Sequence, residues 1–338
     1  MTKGLVHVFN EAGHRASYRD FLSERFDLAT ATGKINATMA RRLVAADRLL
    51  FATVSRGTAF KTVLIAMVRA LLGKRTSAIC MAGDWYRDPA RPVRSAVAGL
   101  LYRLLDATGR FRVFAIIPYE LMPELSRTTS DWILDLCLWD LPTQVNPDSL
   151  PQTELSKQAI ETAAGRSIVV FLGRATARKG YSELADLARS IESHALIVSA
   201  GLVSQECRSD ADALRALGMI VEDRRISEEE LISLYRVADY VWCRYDESSS
   251  SMSSGVFGRA VQLGRPAVVP AGSYLDRLAR LLEHPVIHDL GAESLGRSAS
   301  APGKLRQSRS SGMQGEDRLT LMARESIQKL ASSLSLTS

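Results

Sequence analysis

Short runs of consecutive apolar residues alternate along this chain with longer stretches whose apolar positions recur every three or four residues. The runs predict buried strands at Leu5–Phe9, Leu49–Val54, Ser77–Met81, Arg112–Ile117 and Trp132–Leu138. The periodic stretches between them predict helices near Ser17–Arg25, Ala59–Leu72 and Val93–Leu105. The scheme then restarts. Strands are expected at Ile168–Leu172, Ala195–Ala200, Met219–Val221, Tyr240–Tyr245, Ala267–Pro270 and Val286–Ile287. Helices are expected near Ser182–Ser190, Asp210–Leu217, Glu228–Val237, Ser254–Leu263 and Tyr274–Leu282. Uninterrupted apolar strands alternating with helices imply a parallel sheet covered on both faces. Two such series in tandem predict an α/β protein of two doubly wound, Rossmann-like domains.

Local signals sharpen this outline. Ser227 followed by Glu230, just before Leu231, Leu234 and Tyr235, has the spacing of a capping box. Pro142, Pro147 and Pro151 break regular structure between about 142 and 166, and the division of the chain is expected there. The expected domains are 1–150 and 151–312. Residues 295–317 are rich in Ser, Gly and Arg and poor in large apolar residues, which reads as loop or disorder. Beyond them Leu319, Met322, Ala323, Ile327, Leu330 and Leu334 form one helical stripe within a final segment, 313–338, which needs a surface to cover.

The composition excludes several classes. Of 338 residues, 46% are apolar and 24% charged, so the chain is globular rather than collagen-like, mucin-like or wholly disordered. No apolar run is long enough to span a bilayer. The first apolar stretch is too short for a signal peptide, so a cytoplasmic location is expected. Cys80, Cys137, Cys207 and Cys243 show neither CxxC nor zinc spacing and read as reduced core thiols. The net charge of +6 is uneven: residues 1–150 hold 20 Lys/Arg and 14 Asp/Glu, while residues 151–338 hold 23 of each. A basic first half suits an anionic partner such as a phospholipid surface; the same excess also suits an ordinary solvated domain. Nucleic acid is not expected, because no recognised module and no aromatic-basic interleaving is present.

Two loops carry candidate chemistry. The strand ending at Gly173 runs into Arg174, Arg178, Lys179 and Gly180 before a helix begins. Ligands of open α/β sheets bind beyond the carboxyl ends of the strands, and three cations there suit a phosphate or diphosphate. A solvated basic loop has the same sequence. The second loop follows Tyr240–Tyr245. Asp246, Glu247 and a serine run lead to Ser253, Ser254 and Gly255, which open a helix. Such a turn offers unpaired backbone N–H groups and the positive end of a helix dipole. Ser253 or Ser254 also serves as an ordinary N-cap, and the two readings are compatible.

The order of these motifs resembles the retaining glycosyltransferases of family 4, which have the two-domain GT-B fold. Gly173–Gly180 is similar to the family's "G-R-x-x-x-x-K-G" loop. Glu229-Glu230-Leu231, Leu234-Tyr235 and Ala238-Asp239, then Asp246-Glu247 and Gly264-Arg265-Pro266-Ala267-Val268, follow its donor-domain signature. The similarity covers about residues 167–290. It implies transfer of a hexose-type sugar from a nucleotide-diphosphate donor to a glycan or lipid-linked acceptor, in surface polysaccharide assembly. Arg174 and Lys179 would neutralise the departing diphosphate, with no metal and no cofactor. Gly13 and His14 would lie near the donor phosphates, and His14 reads equally as a surface histidine. The resemblance also implies donor binding in an interdomain cleft that closes against water, and a last helix that returns to the first domain.

The chain departs from that pattern. The family has two glutamates flanking the helix start, the second holding the donor ribose. Alignment on Gly264-Arg265-Pro266 puts Ser251 and Arg259 at those places, leaving Asp246 or Glu247 as the acidic group at hand. Arg259 suits phosphate rather than ribose. Asp84 replaces the family's acceptor-side histidine, with Trp85 or Tyr86 beside it to stack on a sugar; Gly83 and Pro89 also make this a structural turn. The helices Ala59–Leu72 and Val93–Leu105 carry flanking cations that suit an anionic membrane, though such helices also simply cover a sheet. A degenerate, non-catalytic binding protein is the alternative function.

Overall fold

The computed structural model describes residues 4–11, 15–81, 85–140, 152–246, 253–291, 295 and 318–334. The chain divides into two units. One comprises Met1–Leu136 and Leu321–Ser338, the other Cys137–Thr320.

The first unit is built on six parallel strands: β1 (Leu5–Val8), β2 (Ala29–Thr32), β3 (Leu49–Val54), β4 (Thr76–Cys80), β5 (Phe111–Ala115) and β6 (Asp131–Trp132). Their order is β2-β1-β3-β4-β5-β6. Between them run α1 (Arg15–Phe26), α2 (Ala37–Ala45), α3 (Arg56–Leu71) and α4 (Pro92–Ala107). Right-handed crossovers put α2, α3 and α4 on one face of the sheet and α1 on the other. β1, β3 and β4 are buried along their whole length, His7, Thr53, Thr76 and Ser77 included, as central strands of a sheet covered on both faces.

The second unit contains β7 (Ser167–Leu172), β8 (Ala195–Ala200), β9 (Ile220–Glu222), β10 (Tyr240–Trp242), β11 (Ala267–Val268) and β12 (Val286–Ile287). All pairs are parallel, in the order β12-β11-β10-β7-β8-β9. The helices are α5 (Glu154–Ala163), α6 (Tyr181–Ile191), α7 (Arg208–Ala216), α8 (Glu228–Val237), α9 (Gly255–Gln262) and α10 (Tyr274–Leu281). The capping box at α8 forms as its spacing predicts. Ser227 Oγ accepts from Glu230 N at 3.1 Å, and Glu230 Oε2 accepts from Ser227 N at 3.0 Å.

The final helix, α11 (Arg318–Leu334), packs on the first unit. It buries Met322, Ala323, Leu330 and Leu334, four residues of the predicted stripe. Ser326 Oγ accepts from Leu134 N at 2.8 Å, and Ser333 Oγ lies 2.9 Å from Ser77 Oγ. Lys329 Nζ donates to Asp131 at 2.9 Å and stands 4.1 Å over the Trp132 ring. The helix thus finds its surface through polar bonds as well as apolar burial.

Three elements escape the apolar-run reading. β2 has the sequence ATAT and three of its four residues are exposed, so it is an edge strand without an apolar run. α2 follows it. α5 begins just after Pro151, inside the stretch where the prolines predict irregular backbone. Conversely, the strand expected at Trp132–Leu138 ends after Trp132, and Leu136–Leu138 form a 3-10 turn. The Ser/Gly/Arg stretch lies outside the described residues except for Leu295.

Candidate functional site

The second sheet reverses its strand order between β7 and β10. A crevice forms at such a switch point, beyond the carboxyl ends of the two strands. The Gly173–Gly180 loop follows β7, and the Ser253–Gly255 turn follows β10 and opens α9. The topology therefore brings the two candidate loops to one edge.

The first loop is tightly fixed. Gly173 N donates to Ala200 O at 2.9 Å, and Ala175 is buried and pairs with Val203. A 3-10 turn, Ala177–Lys179, leads to Gly180 at φ +69°. A side chain at Gly180 would be strained there and would overlap the Arg244 carbonyl oxygen. Trp242 Nε1, from the end of β10, donates to Gly180 O at 3.1 Å, and Asp246 N donates to Arg178 O at 3.0 Å. Two bonds thus tie the cationic turn to the strand next to it.

The cations differ in their surroundings. Arg174 is exposed, with no acceptor among the described residues. The Lys179 ammonium folds back over the end of β7, 3.4 Å from where a Cβ on Gly173 would stand. Burial lowers its pKa; the nearby Cys243 opposes that shift and Arg178 adds to it. Among the described residues it has neither a carboxylate nor a hydrogen-bond acceptor. A half-buried ammonium left without a counter-charge favours an anionic ligand, because desolvation is costly unless a negative group offsets it.

The second loop supplies a helix end. Ser254 caps α9 by accepting from Phe257 N at 3.2 Å, and its Oγ lies 2.6 Å from the Tyr245 hydroxyl. Burial raises the Tyr245 pKa, so the phenol stays neutral. The N–H groups of Gly255 and Val256 have no intrahelical acceptor, as in every first helical turn. Ser253 lies just before the cap and is half-buried. Gly173, Arg174, Lys179, Ser253, Ser254 and Gly255 are therefore all placed around this edge.

Arg259, expected at the donor, is engaged elsewhere. Its guanidinium binds Asp140 at 2.5 and 3.3 Å and Glu228 at 3.2 Å. Gln262 Nε2 adds a bond to Asp140 at 3.0 Å. Arg259 thus clamps α9 to the segment before α5 and to the first turn of α8. Asp140 gave no sequence signal, because it lies 119 residues from its partner. Trp242 and Tyr245, which fix the two loops, looked like ordinary strand residues.

Gly13, His14, Asp84 and Glu247 lie outside the described residues. Trp85 and Tyr86 are not free platforms for a sugar. Trp85 is wholly buried, donates from Nε1 to Thr128 O at 2.9 Å, and packs edge-on against Tyr86 and Tyr102. Their apolar bulk is spent on the core of the first unit. All four cysteines are buried and in no disulfide, and burial pushes the Cys243 thiol up to about 12.

No family model matches the sequence, and no curated protein sequence matches it significantly. Solved structures do match it over their full length. Anabaena HepE in complex with UDP and glucose is 12% identical with a TM-score of 0.60, covering 98% of this chain and 100% of its own. A putative UDP-N-acetylglucosamine 2-epimerase from Listeria monocytogenes is 11% identical with a TM-score of 0.58, covering 100% and 98%. A UDP-forming α,α-trehalose-phosphate synthase from Burkholderia vietnamiensis is 12% identical with a TM-score of 0.57, covering 100% of both chains. Identities this low speak to architecture alone. Two parallel six-stranded sheets and likenesses that run the length of the chain show the GT-B fold.

Proposed function

We propose that the chain is a glycosyltransferase that moves a sugar from a nucleoside-diphosphate donor held by its second unit. The observation that carries this reading is the Lys179 ammonium, half-buried with no counter-charge among the described residues, in the loop that also carries the exposed Arg174, at the switch point of the second sheet. A diphosphate is the ligand this arrangement suits. As the bond between anomeric carbon and phosphate oxygen breaks, the leaving diphosphate gains negative charge. Arg174 and Lys179 stabilise that charge, and the first N–H groups of α9 add the helix dipole. The acceptor hydroxyl oxygen bonds to the anomeric carbon, and its proton passes to the departing diphosphate.

Neighbours of the same fold whose structures hold UDP and glucose support a uridine-type sugar nucleotide as the first donor to test. The family resemblance adds a hexose-type sugar, retention at the anomeric carbon, a glycan or lipid-linked acceptor, and a place in surface polysaccharide assembly. Asp84, Gly13, His14 and Glu247 stand as further candidates on the resemblance alone.

Thermal unfolding of the purified protein with UDP, GDP, ADP and dTDP sugars tests the donor site. A ligand at about 100 times its Kd stabilises the native state by about 2.7 kcal/mol. One nucleotide is expected to raise Tm selectively, with the rise abolished in Arg174→Ala and Lys179→Ala. No shift with any nucleotide would overturn the donor assignment.

A further inference from the structure

We propose that the α3–α4 face of the first unit docks on an anionic phospholipid bilayer, with a lipid phosphate seated in the cationic pocket at its edge. This goes beyond glycosyl transfer and does not depend on it. A helix that covers a sheet normally turns its polar side to solvent. α4 buries Ala98, Gly99 and Tyr102 and turns a second set of apolar residues to solvent. Val93, Ala96, Val97, Leu100, Leu104 and Ala107 follow one another at helical spacing, and all are exposed; Val93 is 75% and Leu100 62% exposed. The carboxyl end of α3, packed beside α4, adds Val68, Leu71 and Leu72, with Leu71 at 81%. A contiguous apolar surface of this kind marks an interaction site.

The charge around it identifies the partner. Residues 56–110 contain 10 Lys/Arg and 3 Asp/Glu, a net +7 against +6 for the whole chain. α3 has no acidic residue and α4 has only Asp106. Where the amino ends of α3 and α4 meet, Arg56, Lys61, Arg91 and Arg94 line a pocket of about 300 Å³ with Phe60 and Tyr86. Asp88 is its only carboxylate among the described residues. Lys61, Arg91 and Arg94 are in no ion pair among the described residues, and Arg94 lies 5.9 Å over the Phe60 ring. Arg94 and Val97 are neighbours on one helix, so the pocket and the apolar stripe share a border. Apolar residues rimmed by Lys61, Arg91 and Arg94 match an anionic bilayer, which takes apolar side chains below its headgroups and holds phosphate at their level.

Other occupants fit less well. A second copy would set one face lined by Lys61, Arg91 and Arg94 against an identical one. Residues 296–317 have only Leu305 and Met313 as large apolar residues, too few to match an apolar stripe of this length.

Flotation of the full chain with vesicles of phosphatidylcholine, alone or with about one third phosphatidylglycerol, tests the proposal. Binding is expected to the anionic vesicles only, weakened when salt rises from about 0.1 to 0.5 M. L100E/L104E is expected to lower binding at least about tenfold, at unchanged Tm and monomeric mass, since both side chains are already exposed. R91A/R94A is expected to lower it about tenfold or more, each cation near the surface being worth about fivefold. Absence of binding to anionic vesicles would overturn the proposal, as would wild-type binding by L100E/L104E. A doubled mass that L100E/L104E halves would assign the face to a second copy instead. Displacement by free glycerol phosphate, with L100E/L104E binding normally, would leave a phosphate-ester pocket and no membrane face.

Discussion

Arg259 NH1 lies 2.5 Å from Asp140 Oδ1, and the pair is largely withdrawn from solvent, at 18% and 9% side-chain exposure. Glu228 contributes a second carboxylate at 3.2 Å. Next to the pair, Gly258 packs so closely that a Cβ there would overlap the Cys137 carbonyl oxygen. The position that holds glutamate in the resembling family is therefore, in this chain, a structural clamp. Arg259→Glu is expected to destabilise rather than to restore a ribose contact. It would put three carboxylates together with no cation among them. Breaking a buried pair costs about 3–5 kcal/mol, and the partial exposure here puts the expected loss near the lower end. Urea unfolding measures it. Arg259→Glu combined with Asp140→Arg should recover part of the loss, and equal stability of wild type and Arg259→Glu would contradict the clamp.

Lys179 sets a pH limit on ligand binding. Its folded pKa is depressed below the ordinary 10.5, first by burial and secondarily by Arg178. Only the protonated amine attracts a diphosphate. Affinity for the nucleotide should therefore hold at neutral pH and fall on the alkaline side before pH 10.5 is reached. Lys179→Arg, which remains charged throughout, should move that fall to higher pH. Titration calorimetry of nucleotide binding across the alkaline range would read both. The sign for stability is opposite in the unliganded protein. A depressed lysine pKa means that protonation in the fold is unfavourable, so the free protein gains stability as pH rises through the folded value.

The central strands and covering helices were legible because burial on both faces leaves an uninterrupted apolar run. β3, β8 and β12 begin and end where their runs do, and α8 begins at its capping box. β2 was hidden because an exposed ATAT edge has no apolar run. α5 was hidden by the prolines before it. In the site, Arg174 and Lys179 were legible because a Gly-flanked cationic loop after a buried strand is a local pattern. Asp140 and Trp242 were not. Their roles come from contacts across 119 and 62 residues, and no periodicity records such a distance. Trp85 and Tyr86 show the reverse: the sequence offered them to a ligand, and the core of the first unit took them.

Arg69 is a second buried cation with a measurable role. It is fully buried in α3, yet faces no carboxylate within bonding distance among the described residues. Its NH1 donates to Leu43 O at 2.8 Å and Ala46 O at 2.6 Å, carbonyls at the carboxyl end of α2. Its NH2 donates to Arg75 O at 2.8 Å, and its Nε to Thr76 Oγ1 at 3.0 Å. The guanidinium thus bonds orphan carbonyls of α2, with Lys74 Nζ also donating to Ala45 O at 2.6 Å and Ala46 O at 3.1 Å, and fixes the turn into β4. Burial lowers its pKa to about 10, with Asp47 opposing, so it remains charged at neutral pH. Arg69→Met keeps the bulk and removes every donor. The stranded carbonyls should cost about 3 kcal/mol or more, at about 1–3 kcal/mol for each group left unsatisfied. Arg69→Lys should recover only part, because one ammonium cannot reach carbonyls on both sides. Denaturant unfolding of the three proteins decides the point.

His7 makes the first unit sensitive to acid. It lies in the middle of β1 and is fully buried, edge-on to Phe9 and Phe51 with centroids 4.8 and 5.5 Å away. Nε2 donates to Gly33 O at 3.0 Å, while Nδ1 is buried with no partner among the described residues. A proton on Nδ1 would be a charge in an apolar core without an acceptor. Burial accordingly lowers the pKa from 6.5 to about 4, with the Gly33 carbonyl opposing. The unfolded chain binds this proton near pH 6.5 and the folded chain near pH 4. Stability from this residue is therefore complete above about pH 6.5 and is lost as pH falls through 4, in total about 3 kcal/mol. His7→Leu should unfold less steeply with acid over that interval, although it loses the bond to Gly33. The comparison is the slope of unfolding free energy against pH between 7 and 4, and parallel slopes for wild type and variant would rule the histidine out.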